Sequence, residues 1–250
     1  MNVSYQISSD LHIENFEDDI DPLKLITPKA DVLILAGDIG SLYKYEQLFQ
    51  FINNLVNHFK FILYIPGNHE YYTLKNQNDF PKTFTELNNI LKKLEESFDK
   101  LHVLNCKSVI IEDTCIVGAT LWSELKCPLP KFIVRIHGFN GMMYTEIHNR
   151  DLKYIKHMKE YCKKNKLKML CVTHHPPSYD FLKKNNRKKF NSLYASDLDY
   201  MLDEDINTWV FGHVHVNHDI VKNNCRCVSN QLGKPKDKIT DYIKSFVLHT

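Results

Sequence analysis

Apolar residues along this chain follow two periods, and the switches between them mark its elements. Unbroken apolar runs occur at 32–36, 61–65, 169–172 and, after Thr208, at 209–211, each bounded by Gly, Pro or polar residues. Runs of that length read as strands buried on both faces. Between the runs the period lengthens. Leu48, Phe51, Ile52, Leu55, Val56 and Phe59 recur at i, i+3, i+4 and i+7, which predicts an amphipathic helix over 45–59. Phe84, Leu87, Leu91, Leu94 and Phe98 mark a second helix, and Leu152, Ile155, Met158 and Tyr161 a third.

Residues 3–8 make a short first strand, so the amino-terminal order is strand, strand, helix, strand, helix, the order of βαβ units. Short apolar runs at 103–104, 109–111 and 116–120 then follow one another across turns, which predicts antiparallel or mixed pairing. Ser196-Asp-Leu-Asp199 reads as a capping box before a short helix. Segments 219–221 and 226–228, split by Asn223-Asn224, read as a hairpin, and 246–248 as a last strand. The expected fold is α/β, a sandwich of two mixed β-sheets flanked by helices. Periodicity is lost over 123–144, where Pro128, Pro130, Gly138 and Gly141 mark a long loop of the kind that binds ligands or forms lids. No repeat, low-complexity tract or linker divides 1–250, so one domain is expected.

Composition narrows this picture only a little. The 250 residues are 43% hydrophobic and 25% charged with a formal net charge of +2, ordinary values that neither demand nor exclude nucleic acid. A chain of this length buries roughly 70–75% of its unfolded surface, so it needs no structural metal or disulfide to fold. Seven cysteines without a CxxC read as free thiols of a reducing compartment. The amino terminus carries no basic stretch followed by an apolar one, and no apolar run approaches the ~20 residues of a membrane span. A cytoplasmic protein, not bound to a membrane, is the expectation.

The candidate chemistry lies where the strands end. Asp10-Leu-His12, Gly37-Asp38, Gly67-Asn68-His69-Glu70, His174-His175 and Gly212-His213-Val-His215 each follow a strand-like run. Groups beyond the carboxyl ends of strands gather in one place in α/β sheets. Any one of these clusters is an ordinary polar turn, but five together are hard to attribute to chance. Oxygen and imidazole donors without cysteine suit Mn, Fe or Zn better than Ca or Mg alone, and argue against a structural zinc site.

In this order the five motifs resemble the calcineurin-like metallophosphoesterase superfamily, over residues 10–215. Val172-Thr-His-His-Pro-Pro-Ser178, Tyr194-Ala-Ser-Asp-Leu198 and Gly118-Ala-Thr-Leu-Trp122 look like a small single-domain subgroup of it. The resemblance implies a four-layer α/β/β/α arrangement and two divalent metal ions, Mn first among the choices. Asp10, His12, Asp38 and His215 would hold one ion. Asp38 would bridge to a second, completed by Asn68, His174 and His213, and a metal-bound hydroxide would attack a phosphomonoester or phosphodiester. His69 would protonate the leaving oxygen. His175 would play a supporting or structural part, and Glu70 would orient His69 or act as a ligand. His137, His148 and His218 read as surface or loop histidines.

One departure stands out. Protein phosphatases of the superfamily continue Gly-Asp into Gly-Asp-x-Val-Asp-Arg-Gly, whereas here Ser41 and Leu42 stand at the positions of the second aspartate and the arginine. Another cation must then hold the substrate. The candidates are Lys131, Arg135 and the run Lys183, Lys184, Arg187, Lys188, Lys189, flanked by Tyr179, Phe181 and Phe190. Asn68, His69, Arg135, Lys183 and Arg187 are the expected substrate contacts. Two other readings are a nuclease using the basic-aromatic run, and a scaffold that keeps the fold without catalysis. No protein partner is implied.

Overall fold

The structure, a computed structural model, describes residues 3–16, 20–74, 81–130, 133–183 and 188–248. Its central strands are apolar throughout because both their faces are covered. In β2 (Val32–Ala36), Val32, Ile34 and Ala36 point one way into a core between two sheets. Leu33 and Leu35 point the other way, toward helices. This is the two-residue period of a strand applied to two apolar environments. β7 (Lys168–Thr173) does the same, with Leu170 and Val172 facing the other sheet and Met169 and Cys171 facing outward.

The first sheet runs β11-β1-β2-β3-β4, with β1 (Tyr5–Ser8), β2, β3 (Phe61–Ile65) and β4 (Leu101–Val103) parallel and β11 (Val247–Leu248) antiparallel at the edge. The second runs β5-β6-β7-β8-β10-β9. There β6 (Thr114–Ala119), β7, β8 (Thr208–Val210) and β10 (Cys225–Ser229) are parallel. The edge strands β5 (Lys107–Ile111) and β9 (His218–Lys222) are antiparallel to their neighbours. Asn223 and Asn224 turn the β9–β10 hairpin with φ of 50° and 68°, the left-handed values a two-residue turn requires.

Helices α1 (Tyr45–Leu55) and α2 (Phe84–Glu96) cover the outer face of the first sheet. Helix α3 (Gly141–Asn165) covers that of the second, which completes an α/β/β/α sandwich. Three expectations shift. Asn140 caps α3 by accepting from the N–H groups of Met142 and Met143, so the last residues of the predicted loop are helical. Tyr161 is exposed and off the packed face. Ser196 caps nothing; its hydroxyl accepts from the Glu124 N–H at 2.9 Å and ties down the chain at Glu124. The seven cysteines are free. Among the described residues, no helix is long and apolar enough to cross a membrane.

Candidate metal centre

Parallel pairing brings the carboxyl ends of β1, β2 and β3 to one edge of the first sheet, and those of β7 and β8 to the same edge of the second. The ends are tied together by backbone. Asp10 N–H donates to the Gly37 carbonyl at 2.9 Å, His12 N–H to the Asp38 carbonyl at 2.9 Å, and Gly212 N–H to the His174 carbonyl at 2.9 Å. Glu70 does the most to fix this edge. It accepts from the N–H groups of Asp38, Ile39 and Gly67 and from the Tyr64 hydroxyl. Burial and the Asp38 charge push its carboxyl up to about 8. Its bonds from the Tyr64 hydroxyl and the Ile39 N–H oppose that rise by favouring the charged form. Glu70 therefore positions backbone; it reaches neither His69 nor the candidate ligands by their side chains.

Two groups of donors form around Asp38. In the first, His174 donates from Nδ1 to the Ala36 carbonyl at 2.9 Å, which turns Nε2 toward Asp38 Oδ1 (3.2 Å) and Asn68 Oδ1 (3.0 Å). Burial opposes the charge on this ring, but Asp38 pushes it up to about 9, so without a metal the ring carries a proton. His213 joins this group, and its Nε2 is buried with no hydrogen-bond partner. In the second group, His12 Nδ1 donates to Glu14 Oε1 at 3.0 Å and His215 Nδ1 to Asp237 Oδ2 at 2.6 Å. Their Nε2 atoms then face each other at 3.1 Å, with Asp10 Oδ1 3.2 Å from His215 and Asp38 Oδ2 3.7 Å from His12. Nitrogen and oxygen donors packed this closely need positive charge among them, which protons on the rings supply without a metal and which a metal ion would supply in their place, so the donor set fits divalent metal ions. Asp38 presents one oxygen to each group.

Electrostatics follow this geometry. Burial opposes the Asp38 charge, yet His174, His69 and His12 hold its carboxyl well below the usual range. Burial likewise opposes Glu14, and its bonds to His12 and His69 bring it down to about 2. Burial and the neighbouring His174 push His175 down to about 3; its ring lies 4.0 Å from that of His213, which it packs against as a neutral group.

Asp10, His12, Asp38, Asn68, His174, His213 and His215 are thus brought together, and His69 lies beside them with its Nδ1 3.6 Å from Glu14 Oε1. His69 and Asn68 line a cleft of about 520 Å³ that Leu74, Leu129, Val134 and Leu193 also line. Arg135 lines it too, but its Nε donates to the Thr73 carbonyl at 3.0 Å and its guanidinium lies over the Tyr72 ring. Lys183 stands at the rim of a second opening shared with His215 and Asp237. Arg187, Lys131 and Lys184 lie outside the described residues, as do the side chains of Lys188 and Lys189. Phe181 is buried against Phe211 and cannot serve as a base-stacking surface. His148 is buried on α3 beside the Trp122 carbonyl, not at the surface.

Glu14 and Asp237 were not singled out from the sequence. Glu14 completes an Asp-x-His-x-Glu pattern that could have been noticed. Asp237 follows the last long strand in a polar stretch with no motif.

The family model of the calcineurin-like phosphoesterases matches residues 7–217. The chain belongs to that family. It is a metal-dependent phosphoester hydrolase. An uncharacterized protein of Acanthamoeba polyphaga mimivirus is 26% identical over 258 residues, covering 90% of this chain and 89% of that one. Among solved structures, the phosphoesterase resembles a phosphopantetheinyl hydrolase from Mycobacterium tuberculosis, with a TM-score of 0.69 at 15% identity over 94% of this chain and 90% of the other. It also resembles a dimetal phosphatase from Danio rerio, with a TM-score of 0.57 at 8% identity over 91% and 86%.

Proposed function

We propose that residues 1–250 form one catalytic domain with a dinuclear centre that hydrolyses a phosphoester. The observation that supports it best is Asp38, whose two oxygens face two separate sets of imidazole and oxygen donors. Asp10, His12 and His215 with Asp38 would hold one ion, and Asn68, His174 and His213 with Asp38 the other. When bound, such ions supply a water activated near neutral pH and neutralise charge on the phosphoryl oxygens. Mn is the first choice for assay, with Fe and Zn next.

The chain's own residues do the rest. Glu14 and Asp237 hold His12 and His215 in the tautomer that leaves Nε2 free, as carboxylates behind metal-binding histidines do. Glu14 also faces His69 Nδ1 and replaces the aspartate partner that Ser41 does not supply. Burial lowers the His69 pKa, but the charges of Asp38 and Glu14 favour the imidazolium, in which Nδ1–H faces Glu14 and Nε2–H faces the cleft, where that proton can pass to the leaving oxygen. Burial of Asn68 and His174 excludes bulk water from the side facing the sheets.

His69→Ala tests the acid role. On an alkyl phosphate, whose leaving group needs a proton, turnover should fall roughly 10²–10⁴-fold. On an activated aryl phosphate the loss should be far smaller. Equal losses on both would remove His69 from that role, and no turnover of any ester by Mn-loaded wild-type protein would remove the catalytic reading itself.

A further inference from the structure

We propose that Lys234 is the cation that grips the substrate's phosphoryl group, and that the site is thereby built for phosphomonoesters of alcohols with an apolar body. The inference rests on the phosphoesterase reading above and specifies its substrate.

The position that would carry an arginine in the related protein phosphatases holds Leu42, which is buried among the residues of the first outer core and faces no solvent. Arg135 is committed to the Thr73 carbonyl and the Tyr72 ring. Lys234 has neither restriction. It comes from the segment after β10, where nothing in the residue pattern announces a site. Its Nζ lies 3.0 Å from His69 Nε2, on the cleft that the proposed acid lines. Among the described residues no carboxylate lies within ion-pair distance of Lys234, whereas Lys159 has one and Lys126 and Lys222 have two each.

The segment is also held in register with the metal centre. Leu232 N–H donates to the Ser9 carbonyl at 3.1 Å and Gly233 N–H to the Asp10 carbonyl at 3.0 Å. Gly233 adopts φ +72°, which lets the chain turn there without a Cβ to obstruct it. Lys234 N–H donates to Asp237 Oδ2 at 2.9 Å, the same oxygen that accepts from His215. The ammonium is therefore carried by a backbone clamped to Asp10 on one side and to His215 on the other. An ammonium is a point charge with three donors, able to bind one phosphoryl oxygen while still facing His69.

The surroundings set the substrate class. Lys236 lines the cleft with Lys234, and Lys183 joins both at the neighbouring opening. Three lysines lining two adjoining openings suit a terminal phosphate, which carries about −1.5 to −2 charges at neutral pH, better than a diester with one. The same cleft is lined by Leu129, Val134, Tyr144 and Leu193, which offer apolar surface for the organic part.

The test uses the full chain loaded with Mn. Calorimetric titration with inorganic phosphate should show Lys234→Met binding it about 10- to 100-fold more weakly than wild type, with Lys234→Arg recovering most of the loss. In steady-state assays Lys234→Met should lower kcat/KM on an aryl phosphomonoester by a similar factor and on the matching diester by clearly less. Unchanged phosphate affinity in a Lys234→Met protein that melts with wild type would overturn the assignment. So would equal losses on the two esters. If wild-type protein binds phosphate through Lys234 yet hydrolyses neither ester, the phosphoesterase reading falls and the phosphate contact stands.

Discussion

The core between the two sheets and the rim where their strands end are built on opposite principles, although they share strands. In the core, Tyr5, Ile7, Val32, Ile34, Leu63, Ile65, Ile116, Leu170, Val172, Val210 and Val228 are at most 1% exposed. They sit in regular parallel strands. A few residues along the same chains the conformation changes. Asp10, His12, Asp38, His213 and His215 adopt φ between 49° and 74°. Left-handed backbone costs an L-residue roughly 1–2 kcal/mol, though Asp and His tolerate it better than most. Five candidate ligands in that region are not what stability alone would select. Backbone of this kind persists when the surroundings over-determine it, and it concentrates at functional sites. Here the restraint is supplied by Glu70, by the cross-sheet bond from His174 to Ala36, and by glycines at close approaches. A Cβ on Gly67 would collide with Asp38 Oδ1, and one on Gly37 with the His174 ring. The core holds the molecule together, and the rim uses part of that stability to keep donors facing donors.

If that division is right, substitutions at the rim should remove function while sparing the fold. The largest effect on turnover is expected from Asp38→Asn. Asn accepts the left-handed backbone as readily as Asp, and its carbonyl can still accept from the His69 N–H, which donates to Asp38 Oδ1 at 2.7 Å. Only the charge is removed. Elemental analysis should find most bound metal gone and turnover lost with it, while the metal-free protein melts no lower than metal-free wild type. Full metal loading in the variant would contradict a bridging carboxylate. A metal-free variant that is much less stable than metal-free wild type would erase the contrast between rim and core.

Glu14→Gln comes next. The amide keeps an oxygen for the His12 Nδ1–H, so the ring can stay in place, but the negative charge behind it is gone. Losing such a partner typically lowers metal affinity or activity 10- to 100-fold. Metal titration followed by calorimetry should show the drop. An unaltered affinity would mean that Glu14 acts on His69 alone, which a leaving-group series would then reveal.

The same contrast explains what could be read from the chain before its structure. The sandwich was legible because strands such as Val32–Ala36 must be apolar on both faces, and that requirement is written in consecutive residues. The candidate ligands were legible because each ends such a strand. Glu14, Asp237 and Lys234 were not, for a physical reason: their contacts bridge loops far apart in sequence, and a single carboxylate or lysine in a polar stretch carries no period. The helical start at Gly141 was missed because Asn140, one residue in a loop of prolines and glycines, does the capping. Ser196 misled in the opposite sense, since a capping-box spacing is also what a hydroxyl needs to hold a neighbouring segment.

The smallest effect on turnover should come from the core itself. Ile34 lies in mid-strand with Ile7 and Leu63 as its neighbours across the sheet, and it is fully buried against the second sheet. Ile34→Ala should destabilise the protein by about 2–5 kcal/mol, which lowers the melting temperature by on the order of 10 °C in a chain of this size. Yet Asp38, four residues on, is positioned by bonds that Ile34 does not make: Glu70 holds its N–H, and His174 holds the Ala36 carbonyl. Below the transition, metal content should therefore match wild type and kcat should stay within about twofold, since distant, independent sites add without coupling. Loss of metal from a folded Ile34→Ala protein would mean that the strained rim depends on close packing several residues away. Core and rim would then be one cooperative unit and not two regions with separate tasks.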